Sequence, residues 1–312
     1  MRAPPAPPSV AAAGGLRILL LGLPLAGVLL HHDGHAIEQA VLSRADAVGR
    51  RRLTRRLGAE RVRLRAEAND AWIVQTAERL RPDLVVSWFW TTRVPMAAVR
   101  AARLGGFGVH PSLLPRHRGA DPYFAALDAG DAETGVTAHR LEADYDTGAI
   151  LGSRRLAIDP SWNAWRLARA LDRPSLALLR DTVARFARGE PVDEREQDAA
   201  LATEAPAPDD DTCALRFGWT TERLLRRIRA LAPAPGAFTE IGDTMVAVHA
   251  ARAAASFPRV LAPGEAAVVA GRAVVRTADG ALELLEGEID DEPADAEAFA
   301  DLVARTRGMV VG

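Results

Sequence analysis

Short, uninterrupted apolar runs recur through residues 17–158, with helical spacing between them. The clearest are RILLL at 17–21 and DLVVSW at 83–88. A run that is apolar on every side indicates a strand buried on both faces, as in a parallel sheet. Alternating strands and helices therefore predict an α/β domain with a Rossmann-like, mostly parallel sheet covered by helices on both faces. The predicted strands are 17–21, 37–42, 83–88, 107–110, 134–141 and 150–158, and the predicted helices are 25–30, 71–80 and 162–188.

The character of the chain changes after residue 188. Residues 189–212 are acidic and rich in Pro and Ala, which is typical of a linker. A helical pattern at 220–231 and several short strand-like runs follow, and they predict a small β-rich open barrel of the OB-like kind. The strand-like runs are 245–248, 267–269, 273–275 and 282–285. We thus predict a flexible tail at 1–15, an α/β domain at 16–188, a linker at 189–212 and a C-terminal β-barrel-like domain at 213–312.

Missing residue types exclude several kinds of chemistry. All 39 basic residues are Arg, so the chain has no Schiff-base lysine and no P-loop lysine. Cys213 is the only cysteine, which rules out a disulfide or a zinc–cysteine cluster within one chain. No apolar run reaches the roughly 18 residues of a membrane helix. We therefore expect a cytoplasmic protein with no membrane partner.

Polar residues concentrate in GFGVHPSLLPRHRG at 106–119. His110 follows an apolar strand, and ligands of open α/β sheets bind at the carboxyl ends of strands. The acidic turn DYDTG at 144–148 lies between two other predicted strands. A His at a strand end and an Asp on a neighbouring loop can form an acid/base pair. On spacing alone the signal is weak, because a lone His at the end of a strand is more often a structural group.

HPSLLPRHRG at 110–119 resembles the loop Asn-x-His-x-Ser-Leu-Leu-Pro, ending in Arg-Gly, of the 10-formyltetrahydrofolate-dependent formyltransferases. GLP at 22–24, ETGVT at 133–137 and DTGAIL at 146–151 resemble other segments of that family in the same order. Within the family, ATEAP at 202–206 and PGAFT at 235–239 are similar to segments of methionyl-tRNA formyltransferases. The resemblance extends from about residue 17 to about residue 288.

The resemblance implies that a formyl group passes from the co-substrate 10-formyltetrahydrofolate to an amine, without a metal. It makes 16–188 the catalytic domain. It also implies catalytic roles for His110 and Asp146, with Asp144 as the alternative to Asp146. The implied substrate loop consists of Ser112, Leu113, Leu114, Pro115, Arg116, Arg118 and Gly119. The implied folate-binding positions are Trp88, Trp90, Val94, Pro95, Leu141 and Asp144.

Gly108 stands where the family has its catalytic Asn. Glycine has no side-chain donor, and loss of one oxyanion donor can lower a rate by about 10²–10³. Three outcomes follow: a slow enzyme, an enzyme with a substitute donor, or an inactive relative that binds folate or another ligand. The candidate substitutes are Arg116, His117, Arg118 and Trp88.

Charge bears on which amine is the acceptor. Residues 1–209 hold 28 Arg and 25 acidic residues, whereas residues 210–312 hold 11 Arg and 16 acidic residues. An acidic C-terminal region is unfavourable for contact with tRNA phosphates, and DPYF at 121–124 also favours a small amine, such as a nucleotide-linked amino sugar, over methionyl-tRNA. Two sets of arginines are either solvated faces or phosphate-binding patches. They are Arg50, Arg51, Arg52, Arg55 and Arg56, and Arg223, Arg226, Arg227 and Arg229.

Overall fold

A computed structural model describes residues 14–306 and 310–311. Most of the predicted tail at 1–15 therefore lies outside the described residues. The described chain forms two compact units. The first contains residues 14–120, 134–156 and 171–204, and the second contains 121–133, 157–170 and the rest from 205 onward. The domain boundaries drawn from the sequence stay a prediction.

The first unit is built on a seven-stranded, mostly parallel sheet. Its strands are β1 (Arg17–Gly22), β2 (Ala36–Leu42), β3 (Val62–Leu64), β4 (Leu84–Trp88), β5 (Gly106–His110), β6 (Glu133–Arg140) and β7 (Ile150–Ala157). Their order across the sheet is β3-β2-β1-β4-β5-β6-β7. The strands from β3 to β5 are mutually parallel, and β6 runs antiparallel to β5. The carboxyl ends of the five parallel strands thus meet at one edge.

Helices cover both faces of this sheet. The helices of the described chain are α1 (Pro24–His32), α2 (Arg50–Leu57), α3 (Asp70–Leu80), α4 (Met96–Ala101), α5 (Pro122–Ala129), α6 (Ala164–Ala187), α7 (Asp210–Cys213), α8 (Thr221–Leu231) and α9 (Ala296–Arg305). Leu19 and Leu21 of β1 share a buried cluster with side chains of α3 and α4. Leu20 points to the other face, where it lies against Gly27 of α1. Because successive residues of a strand alternate between faces, both faces of β1 are buried.

The second unit carries an antiparallel sheet. Its strands are β8 (Ala237–Ile241), β9 (Thr244–Ala253), β10 (Ala266–Val269), β11 (Arg272–Arg276), β12 (Ala281–Ile289), β13 (Glu292–Asp295) and β14 (Val310–Val311). The order is β10-β11-β12-β9-β8-β14, and β13 pairs with β12. Side chains of α8 and α9, including Leu224, Ile228 and Phe299, are buried in the same core as this sheet. The predicted fold class is therefore confirmed: a mostly parallel sheet with helices, followed by an antiparallel half-barrel.

The arginines of α8 are used inside the second unit. Arg227 is buried and pairs with Asp128 of α5 through Nε–Oδ1 (2.7 Å) and Nη2–Oδ2 (3.0 Å). Arg229 donates to the carbonyl oxygens of Pro160 (2.7 Å) and Trp162 (3.1 Å). For these two residues both sequence interpretations, a solvated face and an RNA-binding stripe, were wrong. Charge counting could not detect the partners, because they lie far away along the chain.

Cys213 is buried. None of the described helices combines the length and the apolarity needed to span a membrane.

Candidate functional site

His110 ends β5 at the carboxyl edge of the first sheet, and its side chain is buried. Gly108 and His110 lie on the same face of β5, because side chains alternate along a strand. Across the antiparallel pair, Gly108 is opposite His139 and His110 is opposite Thr137. These four residues therefore share one face of the sheet.

Hydrogen bonds fix the loop that follows His110. The Thr137 hydroxyl donates to the Ser112 carbonyl oxygen (2.7 Å) and accepts from the Leu114 backbone N–H (3.1 Å). The His117 N–H donates to Thr203 Oγ1 (2.9 Å). As a result, the His117 carbonyl oxygen lies 2.7 Å from His110 Nε2. The loop both positions the imidazole ring and supplies one of its hydrogen-bond partners.

The carboxylate of Asp146 lies between two imidazole rings. Its Oδ2 accepts from the Gly119 N–H (2.9 Å) and lies 3.4 Å from His110 Nδ1. Its Oδ1 lies 3.4 Å from His139 Nε2. Asp144 instead points to solvent, where its Oδ1 is 3.5 Å from Arg93 Nη2. Of the two aspartates considered from the sequence, the structure brings Asp146 to His110.

The main chain determines which ring nitrogens carry hydrogen. His110 Nε2 faces the His117 carbonyl oxygen, and His139 Nδ1 faces the Arg140 carbonyl oxygen at 2.9 Å. A carbonyl oxygen only accepts hydrogen bonds, so both nitrogens are protonated. In the neutral ring of His139, Nε2 then holds a lone pair directed at Asp146. Burial lowers the pKa of His139 to about 4, with the nearby charge of Asp146 opposing that shift. His139 is therefore neutral at neutral pH.

The buried, neutral His139 predicts a pH dependence of stability. Between pH 6.5 and about 4 the unfolded state binds a proton at this residue that the folded state does not. The free energy of unfolding should therefore fall as pH falls through this range, by about 3 kcal/mol from His139. Urea unfolding of the wild type and of His139→Gln at pH 7.5 and pH 4.5 measures this share.

The matched control is His32→Gln, at an exposed position of α1. It should keep the full pH dependence of the wild type, whereas His139→Gln should lose part of it. Equal losses of stability for the wild type and His139→Gln would show that His139 binds its proton equally well in the folded and in the unfolded protein.

Gly108 leaves room at the centre of this cluster. A Cβ on Gly108 would lie 3.5 Å from His139 Nε2 and from Leu141 Cδ2, both ordinary contact distances. The Trp88 indole N–H donates to Ser175 Oγ (2.7 Å), and the Arg118 guanidinium donates to Gln197 Oε1 (2.7 and 3.1 Å). Two of the substitute donors considered from the sequence are thus engaged elsewhere. The polar side chains beside Gly108 are those of His139 and of Ser87, whose Cβ is 3.6 Å from the place of a Cβ at residue 108.

Gln197 joins two loops of the site. Its Nε2 donates to the carbonyl oxygens of Asp146 and Gly148, both at 2.7 Å, while its Oε1 accepts from Arg118. The backbone of the same segment pairs with the substrate loop, since the Arg118 N–H donates to the Thr203 carbonyl oxygen (2.8 Å). Residues 195–204, predicted as part of a linker, therefore hold the loop that carries Asp146.

The implied folate-binding positions lie on two segments of the first unit. Trp90, Val94 and Leu141 are partly buried against one core cluster beneath β1 and β4. Pro95 caps the beginning of α4. Trp88 is buried, with its indole N–H bonded to Ser175, so it presents little surface to a ligand.

Sequence reasoning missed His139 and Gln197. His139 stands two residues before Leu141 in a predicted strand, so a polar residue in an apolar run was an available signal. The register that places His139 opposite Gly108 could not be predicted from that pattern. Gln197 offers no signal, because its contacts depend on the path of an irregular segment.

Comparisons with known proteins agree with this geometry. Residues 34–183 match the Formyl transferase family, and residues 209–302 match its C-terminal domain. The chain is 33% identical over 236 residues to a methionyl-tRNA formyltransferase of Chlorobium luteolum, which covers 75% of this chain and 74% of that protein. A Halorhodospira halophila methionyl-tRNA formyltransferase is 37% identical over 213 residues, covering 67% of this chain and 68% of that protein.

Solved structures share the fold at low sequence identity. HypX from Aquifex aeolicus, in complex with tetrahydrofolic acid, has a TM-score of 0.65 and 18% identity. The match covers 94% of this chain, but this chain spans about half (48%) of HypX. An N-formyltransferase from Helicobacter canadensis, in complex with folinic acid and dTDP-3-aminofucose, has a TM-score of 0.64 and 14% identity, covering 87% of this chain and 99% of that one. With both domains matched and relatives above 30% identity over two thirds or more of its length, the chain belongs to the formyltransferase family.

Proposed function

We propose that this protein transfers the formyl group of 10-formyltetrahydrofolate to a primary amine. The observation that carries the proposal is the buried His110 at the carboxyl edge of the sheet, facing an Asp146 carboxylate that the Gly119 N–H holds. In this reaction the amine nitrogen bonds to the formyl carbon, and the bond from that carbon to N10 of the folate breaks. The proton that the amine loses ends on N10. A buried His–Asp pair is suited to move that proton.

Helix α2 supports methionyl-tRNA as the acceptor. Four of its eight residues are exposed arginines, namely Arg51, Arg52, Arg55 and Arg56, and the helix contains no acidic residue. It follows β2, whose carboxyl end lies at the same edge of the parallel sheet as His110. A dense group of exposed arginines attracts a phosphate backbone, and the relatives above 30% identity are named methionyl-tRNA formyltransferases.

The test is transfer of labelled formyl from 10-formyltetrahydrofolate to methionyl-tRNA and to a panel of small amines, nucleotide-linked amino sugars included. Replacing the four exposed α2 arginines with Gln should raise KM for methionyl-tRNA by about tenfold or more and weaken its salt dependence. The same variant should leave KM for 10-formyltetrahydrofolate unchanged.

A matched control replaces four arginines that are exposed on other helices, Arg79, Arg100, Arg166 and Arg173, with Gln. It should leave KM for methionyl-tRNA within about twofold of the wild type. Turnover of a small amine with none on methionyl-tRNA would contradict the tRNA proposal and favour the small-amine acceptor, to which the acidic residues 210–312 also point.

Gly108 favours a second candidate, a folate-binding relative without transferase activity. Under this alternative, the wild type binds 10-formyltetrahydrofolate but transfers formyl to no amine in the panel. Activity that first appears in Gly108→Asn would support the second candidate, because that variant restores the side-chain amide the family carries.

A further inference from the structure

Two residues of the candidate site have a left-handed backbone. Asp146 and His117 each have a φ of 57°. A residue other than glycine adopts this conformation rarely, and keeps it where neighbouring groups hold it in place. Both residues contact the His110 ring, since Asp146 Oδ2 lies 3.4 Å from Nδ1 and the His117 carbonyl oxygen lies 2.7 Å from Nε2. Each ring nitrogen of His110 therefore has its partner on a residue of left-handed conformation.

One irregular segment of the first unit contacts the main chain of both left-handed residues. Gln197 Nε2 donates to the carbonyl oxygens of Asp146 and Gly148, both at 2.7 Å. Thr203 Oγ1 accepts from the His117 N–H at 2.9 Å. Each left-handed residue is thus bonded through its own main chain to one side chain of the segment, and these bonds oppose rotation of its backbone.

We propose that Gln197 and Thr203 are positioning residues for formyl transfer. They hold Asp146 and His117 in the left-handed conformation and thereby set both contacts of the His110 ring. Their effect passes through the main chain of their partners and not through the reacting atoms. This inference rests on the proposed function, because the orientation of His110 matters for the rate only if His110 takes part in the transfer.

Arg118 fixes the orientation of the Gln197 amide. Its Nε (3.1 Å) and Nη2 (2.7 Å) donate to Gln197 Oε1, and a guanidinium has no acceptor atom. The amide oxygen therefore faces Arg118, and the amide nitrogen faces the two carbonyl oxygens. Gln197→Glu would keep the contact with Arg118 but would present an oxygen to the carbonyl oxygens of Asp146 and Gly148. Both of those hydrogen bonds would be lost with almost no change in side-chain size.

Kinetics of this substitution test the role of Gln197. Gln197→Glu should lower kcat by about tenfold or more, because a misplacement of about 1 Å can cost on the order of 10² in rate. KM for the acceptor amine should stay within about twofold of the wild type, as expected when an interaction serves the chemical step alone. Gln75→Glu, the same change at an exposed position of α3, is the matched control and should keep the wild-type kcat. A wild-type kcat in Gln197→Glu would overturn the role of Gln197.

A matched pair of substitutions tests the role of Thr203. Thr203→Val keeps the shape of the side chain but removes the acceptor of the His117 N–H, and it should lower kcat by about threefold or more. Thr203→Ser keeps the hydroxyl and should stay close to the wild type. Equal kcat values for the two variants would overturn the role of Thr203.

Hydrogen exchange reports on the position of Asp146 without any need for activity. The Gly119 N–H donates to Asp146 Oδ2 (2.9 Å), so its exchange should be about tenfold faster in Gln197→Glu. The Leu114 N–H, which donates to Thr137 Oγ1, should keep its rate. Unchanged exchange at Gly119 would overturn the positioning of Asp146. If the wild type and every variant transfer no formyl while exchange at Gly119 is faster in Gln197→Glu, the proposed function fails and the restraint of Asp146 by Gln197 stands.

Discussion

Replacing His110 with Ala should lower kcat for formyl transfer by a factor of about 10²–10⁴, the usual contribution of a positioned acid or base. The imidazole is buried, held by the His117 carbonyl oxygen at Nε2 and directed at Asp146 by Nδ1. Ala removes the imidazole and leaves Asp146 with the Gly119 N–H. Single-turnover transfer of labelled formyl, with saturating folate, measures the change directly.

Binding of 10-formyltetrahydrofolate to His110→Ala should stay within a few-fold of the wild type, because the implied folate-binding positions lie on other segments. The control is His32→Ala, at an exposed position of α1, which should keep wild-type activity. Retention of more than a tenth of the activity by His110→Ala would exclude His110 as the proton-transfer group and return it to a structural role.

The second large effect concerns stability. Arg227→Met should destabilise the second unit by about 3–5 kcal/mol, the usual effect of breaking a buried ion pair by removing one partner. Arg227 makes two contacts with the Asp128 carboxylate and donates to the Thr212 carbonyl oxygen. Its guanidinium also lies 5.0 Å from the centre of the Trp219 ring, so Trp219 fluorescence during urea unfolding reports on this unit.

Two variants separate the ion pair from general effects on α8. Arg223→Met removes an exposed arginine stacked on the same Trp219 ring at 3.7 Å and should cost less than about 1 kcal/mol. Adding Asp128→Leu to Arg227→Met should recover part of the lost stability, because the unpaired carboxylate is then gone. Equal effects of Arg223→Met and Arg227→Met would show that ring stacking, and not the ion pair, stabilises the helix.

The main architecture was predictable because buried strands have a recognisable local sequence pattern. Runs such as 17–21 and 83–88 are apolar on all sides, and only a strand covered on both faces needs that composition. The pattern failed where the stabilising partner is a cap. Helix α9 begins at Ala296 within a strongly acidic segment, and the Asp295 carboxylate that accepts from Glu297 N and Ala298 N starts it. When these acidic residues are counted only as negative charge, the role of Asp295 as the N-cap of α9 is missed.

The site was predictable only to the extent that a motif is contiguous. The substrate loop and the Asp-Thr-Gly segment could each be recognised as linear patterns, and the structure brings His110 and Asp146 together. The position of His139 opposite Gly108 depends on strand register. A shift of one residue would turn the His139 side chain to the other face of the sheet. Composition therefore shows that Gly108 lacks a donor, whereas only the fold shows which side chain lies opposite.

Gln197 donates to the carbonyl oxygens of Asp146 and Gly148, and it follows Asp146 by 51 residues along the chain. Synthesis proceeds from the N-terminus, and early segments fold as they emerge. When His110 and Asp146 have emerged from the ribosome, the segment that restrains the loop of Asp146 has not yet followed them. Maturation of the site therefore waits for residues 195–204 to leave the ribosome. Up to that moment, the growing polypeptide carries the residues of the recognisable motifs on loops that lack the contacts of Gln197.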